Sequence, residues 1–416
     1  MTAAPASTRP RVVIVGAGFG GLAAARRLAG EPVDMVLIDR TNHHLFQPLL
    51  YQVATAVLSP SEIATAVRPR LRSQRNITML MAEVTGIDTE ARRVRLGHGP
   101  DQPYDWLVLA TGADYSFFGH SEWAEHAHVL KTIEDARAIR QKLLLAFEEA
   151  ELEGGRSPPT VAIVGGGPTG VEMAGAVAEM AKTTLAGDFR RIDPKCTRVL
   201  LLEAGPRLLS AFPATLSDYA RTALQRLGVE VRTSAAVQAV TSDGVQVNDE
   251  MLETTAVIWC AGVRARPAAD WLGVAVARGG AAAVTRDCSV PGHSNIFVIG
   301  DAAFHETDQG ALPGLAPVAK QQGVFVGGQI ASRIGGRLPR ERSFRYRDWG
   351  SMAVIGRSRA VAVFGRIRLK GFVAWLAWSL VHLMLLIDFR SRVVVYVNWT
   401  WAWFTYGRGA RLISRS

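Results

Sequence analysis

The sequence predicts an α/β protein that contains two similar strand–loop–helix folds and an apolar helical tail. Three observations support this prediction: a glycine-rich loop follows an apolar strand near the N-terminus, the same pattern recurs in the middle of the chain, and the C-terminal part is apolar, aromatic and basic. The chain has 416 residues, 48% of them hydrophobic, with 47 Lys and Arg against 37 Asp and Glu. This length and apolar content suffice for more than one core and exclude a disordered chain.

The first strand–loop–helix unit occupies residues 12–28 (VVIVGAGFGGLAAARRL). Gly16 permits the tight turn after the strand, Gly18 lets the backbone approach a pyrophosphate, and Gly21 lets the helix pack against the strand. The next apolar strand ends in Asp39, at the distance where an acidic group meets a ribose hydroxyl. We therefore predict that this unit binds a dinucleotide through Gly16, Gly18, Gly20, Gly21, Asp39 and Arg40.

A second unit of the same pattern occupies residues 161–172 (VAIVGGGPTGVE), with its glycines at Gly165, Gly167 and Gly170. The strand that follows it ends in Glu203. A carboxylate at this strand end accepts a hydrogen bond from a ribose 2′-hydroxyl and repels a 2′-phosphate, so the sequence favours NADH over NADPH. Two such units imply two dinucleotides, and electron transfer from one to the other is the simplest reason for both.

Two further segments, 106–112 (WLVLATG) and 295–302 (NIFVIGDA), resemble the secondary flavin motifs of flavoproteins with two dinucleotide-binding domains. The resemblance implies that the first unit binds FAD and that the second binds NAD(P)H. It also implies that Asp301 hydrogen-bonds the ribityl chain and that Ala302 faces the pyrophosphate. On the same basis the FAD site includes Ala110, Thr111 and Gly112.

The sequence offers neither a thiol relay nor a metal site. Many enzymes of this superfamily pass electrons through a reactive cysteine beside the flavin. Cys196, Cys260 and Cys288 are widely spaced, and none lies in the segment 40–51. The adjacent His43 and His44 have no third ligand at a suitable spacing, so we expect no metal. Disulfide reductases and sulfide:quinone oxidoreductases are therefore disfavoured.

Against this background the chain resembles the type II NADH:quinone oxidoreductases from end to end. The matching stretches are the two glycine loops, residues 42–51 (NHHLFQPLLY), the Gly300-Asp301 pair and residues 315–323 (LAPVAKQQG). In that family the last segment lies by the flavin and contributes to the quinone site, although this chain has Pro317 where one common form has Gln. Small Ala side chains leave room for a flat ring, and Gln amides donate to a quinone carbonyl. The resemblance thus implies a quinone site formed by Ala316, Ala319, Gln321 and Gln322.

Proton handling requires a titratable group near the flavin. Glu172 follows the second glycine loop on the first helical turn, where a carboxylate also complements the helix dipole. From the residues alone both roles remain open, and the resemblance implies a position near the nicotinamide and the flavin. Lys320 is a second candidate relay. The predicted catalytic set is therefore Glu172, Lys320, Gln321 and Gln322.

The tail after residue 365 carries eight basic residues, one acidic residue and five of the ten Trp residues. Its arginines bracket two apolar runs, 371–387 and 393–406, rather than form a polar basic stripe, so we expect no nucleic-acid partner. This pattern favours two helices that lie in the headgroup region of an anionic membrane. A membrane-spanning first run and a hairpin buried in a homodimer remain open alternatives.

These observations predict a glutathione-reductase-like arrangement of two Rossmann-like domains and a tail. The FAD-binding domain comprises 1–115 and 286–340, the NADH-binding domain 116–285 with its core from about 158, and the membrane-anchoring region 341–416. The expected activity is transfer of hydride from NADH to FAD and of two electrons to a membrane quinone, without proton pumping. Because residues 1–11 do not resemble an export signal, we expect a peripheral enzyme on the cytoplasmic face of the inner membrane. A reductase of a soluble iron–sulfur carrier and a slow redox-sensing flavoprotein remain alternatives.

Overall fold

The computed structural model describes residues 9–154, 158–339, 342–386, 388–405, 407 and 409–413. Its strands are β1 Arg11–Val15, β2 Asp34–Asp39, β3 His43–Leu45, β4 Ala64–Ala66, β5 Ile77–Met81, β6 Val84–Asp88, β7 Arg93–Leu96, β8 Gln102–Pro103, β9 Trp106–Leu109, β10 Ala113–Tyr115, β11 Ala127–Val129, β12 Thr160–Val164, β13 Arg198–Glu203, β14 Val229–Thr233, β15 Val237–Thr241, β16 Gly244–Val247, β17 Glu250–Glu253, β18 Ala256–Trp259, β19 Val263–Ala265, β20 Ala282–Val284, β21 Ser289–Val290, β22 His293–Val298, β23 Ala303–Thr307, β24 Gly310–Ala311, β25 Ser351–Gly356, β26 Arg359–Phe364 and β27 Ile367–Gly371. Its helices are α1 Phe19–Arg27, α2 Leu50–Ala54, α3 Pro60–Ile63, α4 Val67–Leu71, α5 Ile133–Leu152, α6 Pro168–Glu179, α7 Ala214–Arg226, α8 Ala268–Leu272, α9 Ala316–Ile334, α10 Phe372–Leu385 and α11 Phe389–Thr405. Of the predicted tail, Ile387, Tyr406, Arg408 and Arg415 lie outside the described residues.

The described residues divide into two units. The first is drawn from Met1–His44, Ala66–Asp114 and Val263–Asp348, and the second from Leu45–Thr65, Tyr115–Gly262 and Trp349–Ser416. The chain therefore returns to the first unit at residue 263, earlier than the predicted 286, because helix α8 packs into the core of the first sheet. Of the predicted tail region, the part up to Asp348 belongs to the first unit and the part from Trp349 onwards to the second.

The first unit is organised around a six-stranded sheet in the order β21-β22-β9-β1-β2-β5. All neighbouring strands are parallel except the short edge strand β21. Strand β1 is fully apolar after Arg11 and buried, as expected for a central strand covered on both faces. The sheet order reverses at β1, between β2 and β9, and such a switch point opens a crevice at the carboxyl ends of the strands. The first glycine loop begins there.

The second unit repeats this arrangement with a five-stranded parallel sheet in the order β11-β18-β12-β13-β14. Strand β12 is central, flanked by β13 and β18, so its carboxyl end is again a switch point. Helix α5 begins at a capping box in which Thr132 accepts from the Asp135 N–H and the Asp135 carboxylate accepts from the Thr132 N–H. The second glycine loop begins at the end of β12.

The tail of the second unit consists of the antiparallel sheet β25-β26-β27 followed by helices α10 and α11. Two hydrogen bonds fasten α11 to the segment 45–65: the Trp399 indole donates to Gln52 at 2.7 Å and the Asn398 amide donates to Glu62 at 2.7 Å. These contacts explain why that segment belongs to the second unit. Among the residues that the structure describes, no helix combines the length and apolar character that a membrane span requires.

Candidate functional site

The first glycine loop is held by the acid at the end of the neighbouring strand. The Asp39 carboxylate accepts from the Ala17 N–H at 2.6 Å and from the Thr41 N–H at 2.7 Å. Gly16 has φ of +103°, and a Cβ there would lie 2.3 Å from the Ala110 carbonyl oxygen. A side chain at Gly16 would therefore break the loop, whereas Asp39 retains free lone pairs for a further donor.

The loop has the openings that a dinucleotide requires. A Cβ at Gly18 would meet no atom within 4 Å, and the same holds at Gly112, whose φ is +72°. Two buried polar atoms beside them, His44 Nε2 and Thr111 Oγ1, have no hydrogen-bond partner within the described residues. Open space above glycines and buried unpaired polar atoms fit a bound pyrophosphate and its sugars, so the residues present fit FAD.

His44 contacts the backbone of the first glycine loop, and the sequence did not predict this contact. Its Nδ1 lies 3.0 Å from the Ala17 carbonyl oxygen, and its ring packs edge-on against Phe19. Desolvation lowers the pKa of His44 to about 4, opposed by the hydrogen bond to Ala17. The ring is therefore neutral at physiological pH, so Nδ1–H donates and Nε2 presents a buried lone pair.

The Gly300–Ala302 turn brings Asp301 to the carboxyl end of β22. Gly300 has φ of +67°, and a Cβ built at Gly314 would lie 3.2 Å from Asp301 Oδ1, so Gly314 leaves room for that carboxylate. Ala302 is fully buried below the turn. The geometry places the Asp301 carboxylate at the same edge of the sheet as the first glycine loop.

Helix α9 supports this turn through residues that the sequence assigned to the quinone. Gln322 is 1% exposed, and its Oε1 accepts from the Gly300 N–H at 2.7 Å. Ala319 is buried, with its Cβ 3.1 Å from a Cβ built on Gly300. The Gln322 side chain therefore lies in the interior and supports the turn, and its expected contact with quinone stays a prediction.

Gln321 also has internal partners: it donates to the Arg347 carbonyl at 2.9 Å and accepts from the Arg347 N–H at 3.0 Å. Its side chain nevertheless remains half-buried, as does Ala316, while Lys320 is exposed. Of the four predicted quinone residues, Ala316 and Gln321 retain an accessible surface, and Ala319 and Gln322 lie beneath them.

Helices α1 and α9 pack closely through glycines, a contact that the sequence does not predict because it joins distant parts of the chain. A Cβ at Gly323 would lie 2.2 Å from the Gly20 carbonyl oxygen, and one at Gly20 would lie 3.1 Å from the Ala319 carbonyl oxygen. Besides its expected cofactor contact, Gly20 therefore permits close helix packing, and so does Gly21, where a Cβ would lie 1.8 Å from the Gly16 carbonyl oxygen. Close packing of these helices positions the glycine loop against the Gly300 turn.

The second glycine loop reproduces the geometry of the first. Glu203 accepts from the Gly166 N–H at 2.5 Å and from the Gly205 N–H at 2.6 Å. Gly165 has φ of +109°, Gly167 opens to empty space, and a Cβ at Gly170 would lie 1.8 Å from the Gly165 carbonyl oxygen. A carboxylate fixed at this strand end can still accept from ribose hydroxyls, and these residues fit a second dinucleotide.

Glu172 lies on the first turns of α6, where its Oε1 accepts from the Val354 N–H at 3.3 Å. Protein surrounds the carboxyl group, although part of the residue's surface stays open to solvent. Desolvation raises the pKa of Glu172 to about 8, against the opposing effects of Val354 and of Trp378. The Trp378 indole lies close enough to favour the charged form, although its N–H makes no regular hydrogen bond. At neutral pH this carboxyl group carries a proton that it can give up.

Tail residues form the wall around this carboxyl group. Trp378 is 2% exposed. Its ring stacks on the His382 ring, with 4.4 Å between the ring centres, and packs against the Trp399 ring, with 5.3 Å between the ring centres. Desolvation lowers the pKa of His382 to about 4, against the opposing effect of its hydrogen bond to the Trp378 carbonyl, so the ring is neutral and its Nδ1–H donates to that oxygen at 2.8 Å. The sequence did not link the tail to Glu172, because about 200 residues separate them and no local pattern records the contact.

The cysteines are unsuited to a thiolate relay. Burial raises the pKa of the Cys260 thiol to about 12, helped by the charge of Glu172, and burial likewise raises the pKa of Cys288. Cys196 is exposed, and all three thiols are free. Within the described part of the chain, no group of three or more His, Cys, Asp or Glu side chains has metal-binding geometry.

Comparisons with known proteins agree with this geometry. Residues 10–323 match the pyridine nucleotide-disulphide oxidoreductase family. A type II NADH:quinone oxidoreductase of Mycobacterium tuberculosis is 43% identical, covering 98% of this chain and 90% of the relative, and a second one from that organism is 40% identical over the same shares. The solved structure of NDH2 from Plasmodium falciparum in complex with NADH has a TM-score of 0.86 at 22% identity, covering 96% of this chain and 99% of that one. The predicted fold class is confirmed, and the chain belongs to the type II NADH:quinone oxidoreductases.

Proposed function

We propose that this protein oxidises NADH and reduces a quinone at a membrane surface, with FAD held by the first unit and NADH by the second. The observation that carries the proposal is the pair of acid-held glycine loops, each at a switch point, in a member of this family. When bound, FAD supplies the two-electron chemistry that connects the nicotinamide to the quinone.

The first unit binds and orients the flavin cofactor. The N–H groups at the start of α1 face its pyrophosphate over Gly18, and the Asp39 carboxylate accepts from its ribose. Asp301 holds the ribityl chain, supported by the Gly300 turn and by Gln322 below it. The remaining proposed contacts come from Gly16, Gly20, Gly21, Arg40, Ala110, Thr111, Gly112 and Ala302.

The second unit binds NADH through Gly165, Gly167 and Gly170, with Glu203 on the ribose hydroxyls. A 2′-phosphate would bring negative charge beside the Glu203 carboxylate, which is the reason to expect NADH over NADPH. The Arg207 guanidinium donates to the Ser210 carbonyl at 2.7 Å and keeps its positive charge, so it can soften this preference.

Glu172 stores a proton for reduction of the quinone. Because desolvation raises its pKa to about 8, the carboxyl group is protonated at neutral pH and can release the proton when negative charge leaves its surroundings or positive charge arrives. Quinone contacts the accessible surface of Ala316 and Gln321. The small side chain of Ala319 lies beneath this surface and leaves room for the quinone ring. Lys320, exposed on the same helix, is the proposed route for protons from solvent.

An apolar face of the tail supports membrane association. Phe372, Leu376, Leu380 and Met384 are 52–60% exposed along α10, and Trp401 and Phe404 are 66% and 71% exposed along α11. An exposed apolar surface of this size indicates that a partner covers it. An anionic lipid surface would bury the apolar side chains and attract the neighbouring arginines. A homodimer that covers part of this face is compatible with the same exposure. We place the protein on the cytoplasmic face of the inner membrane as a peripheral enzyme.

Steady-state oxidation of NADH by the purified, FAD-loaded protein tests the proposal. A short-chain quinone, oxygen and ferricyanide serve as alternative acceptors, and NADPH replaces NADH in a parallel series. We expect quinone-dependent turnover with NADH to exceed the oxygen rate by at least tenfold. Flavin reduction without quinone turnover would contradict the proposal and direct attention to an iron–sulfur protein acceptor or to a sensing role.

A further inference from the structure

A basic groove lies beside the start of helix α10 in the second unit. It encloses about 280 Å³ between helix α7 and the β26-β27 hairpin. Its polar lining consists of Thr215, Asp218, Tyr219, Thr222, Arg226, Arg359 and Lys370, and Ala223 completes it. None of these residues takes part in the proposed dinucleotide or quinone sites.

The fold brings three cations to this groove. Arg226 ends α7, on the face that also carries Thr215 and Thr222 at helical spacing. Lys370 pairs with Val361 across the hairpin, and Arg359 precedes Val361 by two residues, so the side chains of Arg359 and Lys370 leave the sheet on the same face. The pairing therefore gathers charges that are 11 residues apart in sequence.

The cations of the basic groove are not neutralised internally. Within the described residues, Arg226, Arg359 and Lys370 form no ion pair, and Asp218 is the one acidic side chain that lines the groove. The Lys370 Nζ lies 5.7 Å from the centre of the Tyr219 ring, which favours a fixed position for the ammonium group. The groove thus presents an excess of positive charge together with hydroxyl donors.

The position of the basic groove relates it to the membrane-facing surface of the tail. Lys370 is followed by Gly371 and then by α10, whose exposed side carries Phe372 and Val373 at 52% and 60% exposure. The opposite side of α10 is buried through Ala374 and Trp378. When the exposed side of an amphipathic helix lies among acyl chains, residues just before the helix lie at the depth of the phosphates.

We propose that the basic groove binds the phosphate of an anionic phospholipid headgroup. Guanidinium groups from Arg226 and Arg359 match phosphate oxygens in pairs, and Lys370 adds a point charge. The hydroxyls of Thr215 and Tyr219 are donors for the remaining oxygens. This inference rests on the membrane association proposed above and adds a defined lipid site to it.

Sedimentation of the full-length, FAD-loaded protein with vesicles tests the lipid site. Vesicles of phosphatidylcholine alone are compared with vesicles that contain phosphatidylglycerol. The groove variant is Arg226→Gln with Arg359→Gln, and the matched control is Arg221→Gln with Arg337→Gln, which removes the same charge from exposed positions outside the groove. Each basic residue near an anionic bilayer raises the vesicle-binding constant about fivefold. We therefore expect the groove variant to bind phosphatidylglycerol vesicles at least tenfold more weakly.

The affinity of the control variant for phosphatidylglycerol vesicles should fall less than threefold. Both variants should reduce ferricyanide at the wild-type rate. Equal losses in both variants would mean diffuse attraction and would overturn the proposal. Displacement of the wild type by inorganic phosphate, but not by chloride at equal ionic strength, would assign the groove to a soluble phosphate instead. If the wild type binds neither vesicle, membrane association fails as well, whereas unchanged binding of the groove variant overturns the lipid site alone.

Discussion

The Glu172 carboxylate accepts a hydrogen bond from the backbone N–H of Val354, 182 residues later in the chain, at 3.3 Å. This contact joins the helix after the second glycine loop to the first strand of the tail sheet. The tail therefore contributes to the surroundings of the proposed proton-handling group as well as to the apolar surface. Desolvation raises the pKa of Glu172 to about 8, and both helix α6 and the tail contribute to the burial of this carboxyl group.

The first prediction concerns stability and pH. Since the folded protein holds a proton on Glu172 between its ordinary pKa of 4.5 and about 8, the free energy of unfolding falls as pH rises through this range, by up to about 1.4 kcal/mol per unit. The side chain in Glu172→Gln stays neutral at every pH, so the variant does not lose this part of the free energy of unfolding. We expect the variant and the wild type to melt alike near pH 5, and the variant to melt several degrees higher at pH 9.

The activity of the same variant provides a second readout. Quinone reduction by the wild type should decline above pH 8 as Glu172 loses its proton, and Glu172→Gln should lower the rate at pH 7 by tenfold or more and remove this decline. Glu230→Gln, at a surface carboxylate paired with Arg198 and Arg232, is the control and should leave the pH profile unchanged. An unaltered profile in Glu172→Gln would exclude the proton-handling role.

The second prediction concerns Gly175, one turn after Glu172. A Cβ at this position would lie 2.0 Å from the Ile355 carbonyl oxygen, so Gly175→Ala must push helix α6 away from strand β25. Overpacking of this kind costs about 2 kcal/mol. We expect a lower melting temperature together with a loss of quinone reduction, because the Glu172–Val354 contact would lengthen. Gly187→Ala, where a Cβ meets no atom within 4 Å, is the control and should melt like the wild type.

Local features of the site were predictable from the sequence, and long-range contacts were not. The glycine loops, with Asp39 and Glu203 at the following strand ends, depend on residues close together in each unit, so spacing alone identified them. The hydrogen bond between Gln322 and the Gly300 N–H was not predictable, because a polar side chain on a helix does not reveal a partner 22 residues away. Likewise, no periodicity records that Trp378 packs beside Glu172. Such contacts depend on how distant elements pack.

The third prediction concerns the choice of nicotinamide cofactor. Glu203→Ala removes the carboxylate expected on the ribose and the acceptor for the Gly166 and Gly205 N–H groups. A hydrogen bond to a charged group contributes about 1.5–3 kcal/mol, so the KM for NADH should rise about tenfold or more, and the preference over NADPH should narrow. Asp39→Ala, the equivalent change in the first unit, should weaken FAD retention and leave the preference intact. Unchanged selectivity in Glu203→Ala would refute the ribose role.

The fourth prediction concerns Gln322. Gln322→Ala leaves the Gly300 N–H without its acceptor below the Asp301 turn, and an unsatisfied buried group costs about 1–3 kcal/mol. We expect FAD to be released on heating at a temperature several degrees lower, as measured by flavin fluorescence, with little change in the KM for quinone. Val324→Ala, at a 47% exposed position on the same helix, is the control. A raised quinone KM with normal FAD release would instead support direct quinone contact.

The last prediction separates the two faces of helix α10. Leu376, Leu380 and Met384 are 56–60% exposed, so their joint substitution by Gln removes apolar surface without opening the core. The triple variant should leave the membrane fraction and keep its ferricyanide rate, because anchoring depends on that face. Trp378→Ala affects the buried face and should do the opposite: it should stay on the membrane while the stability and the pH profile that depend on Glu172 change. If the triple variant still sediments with membranes, the anchor lies on another surface, and the apolar face of α10 is then better explained by contact with a second copy of the chain.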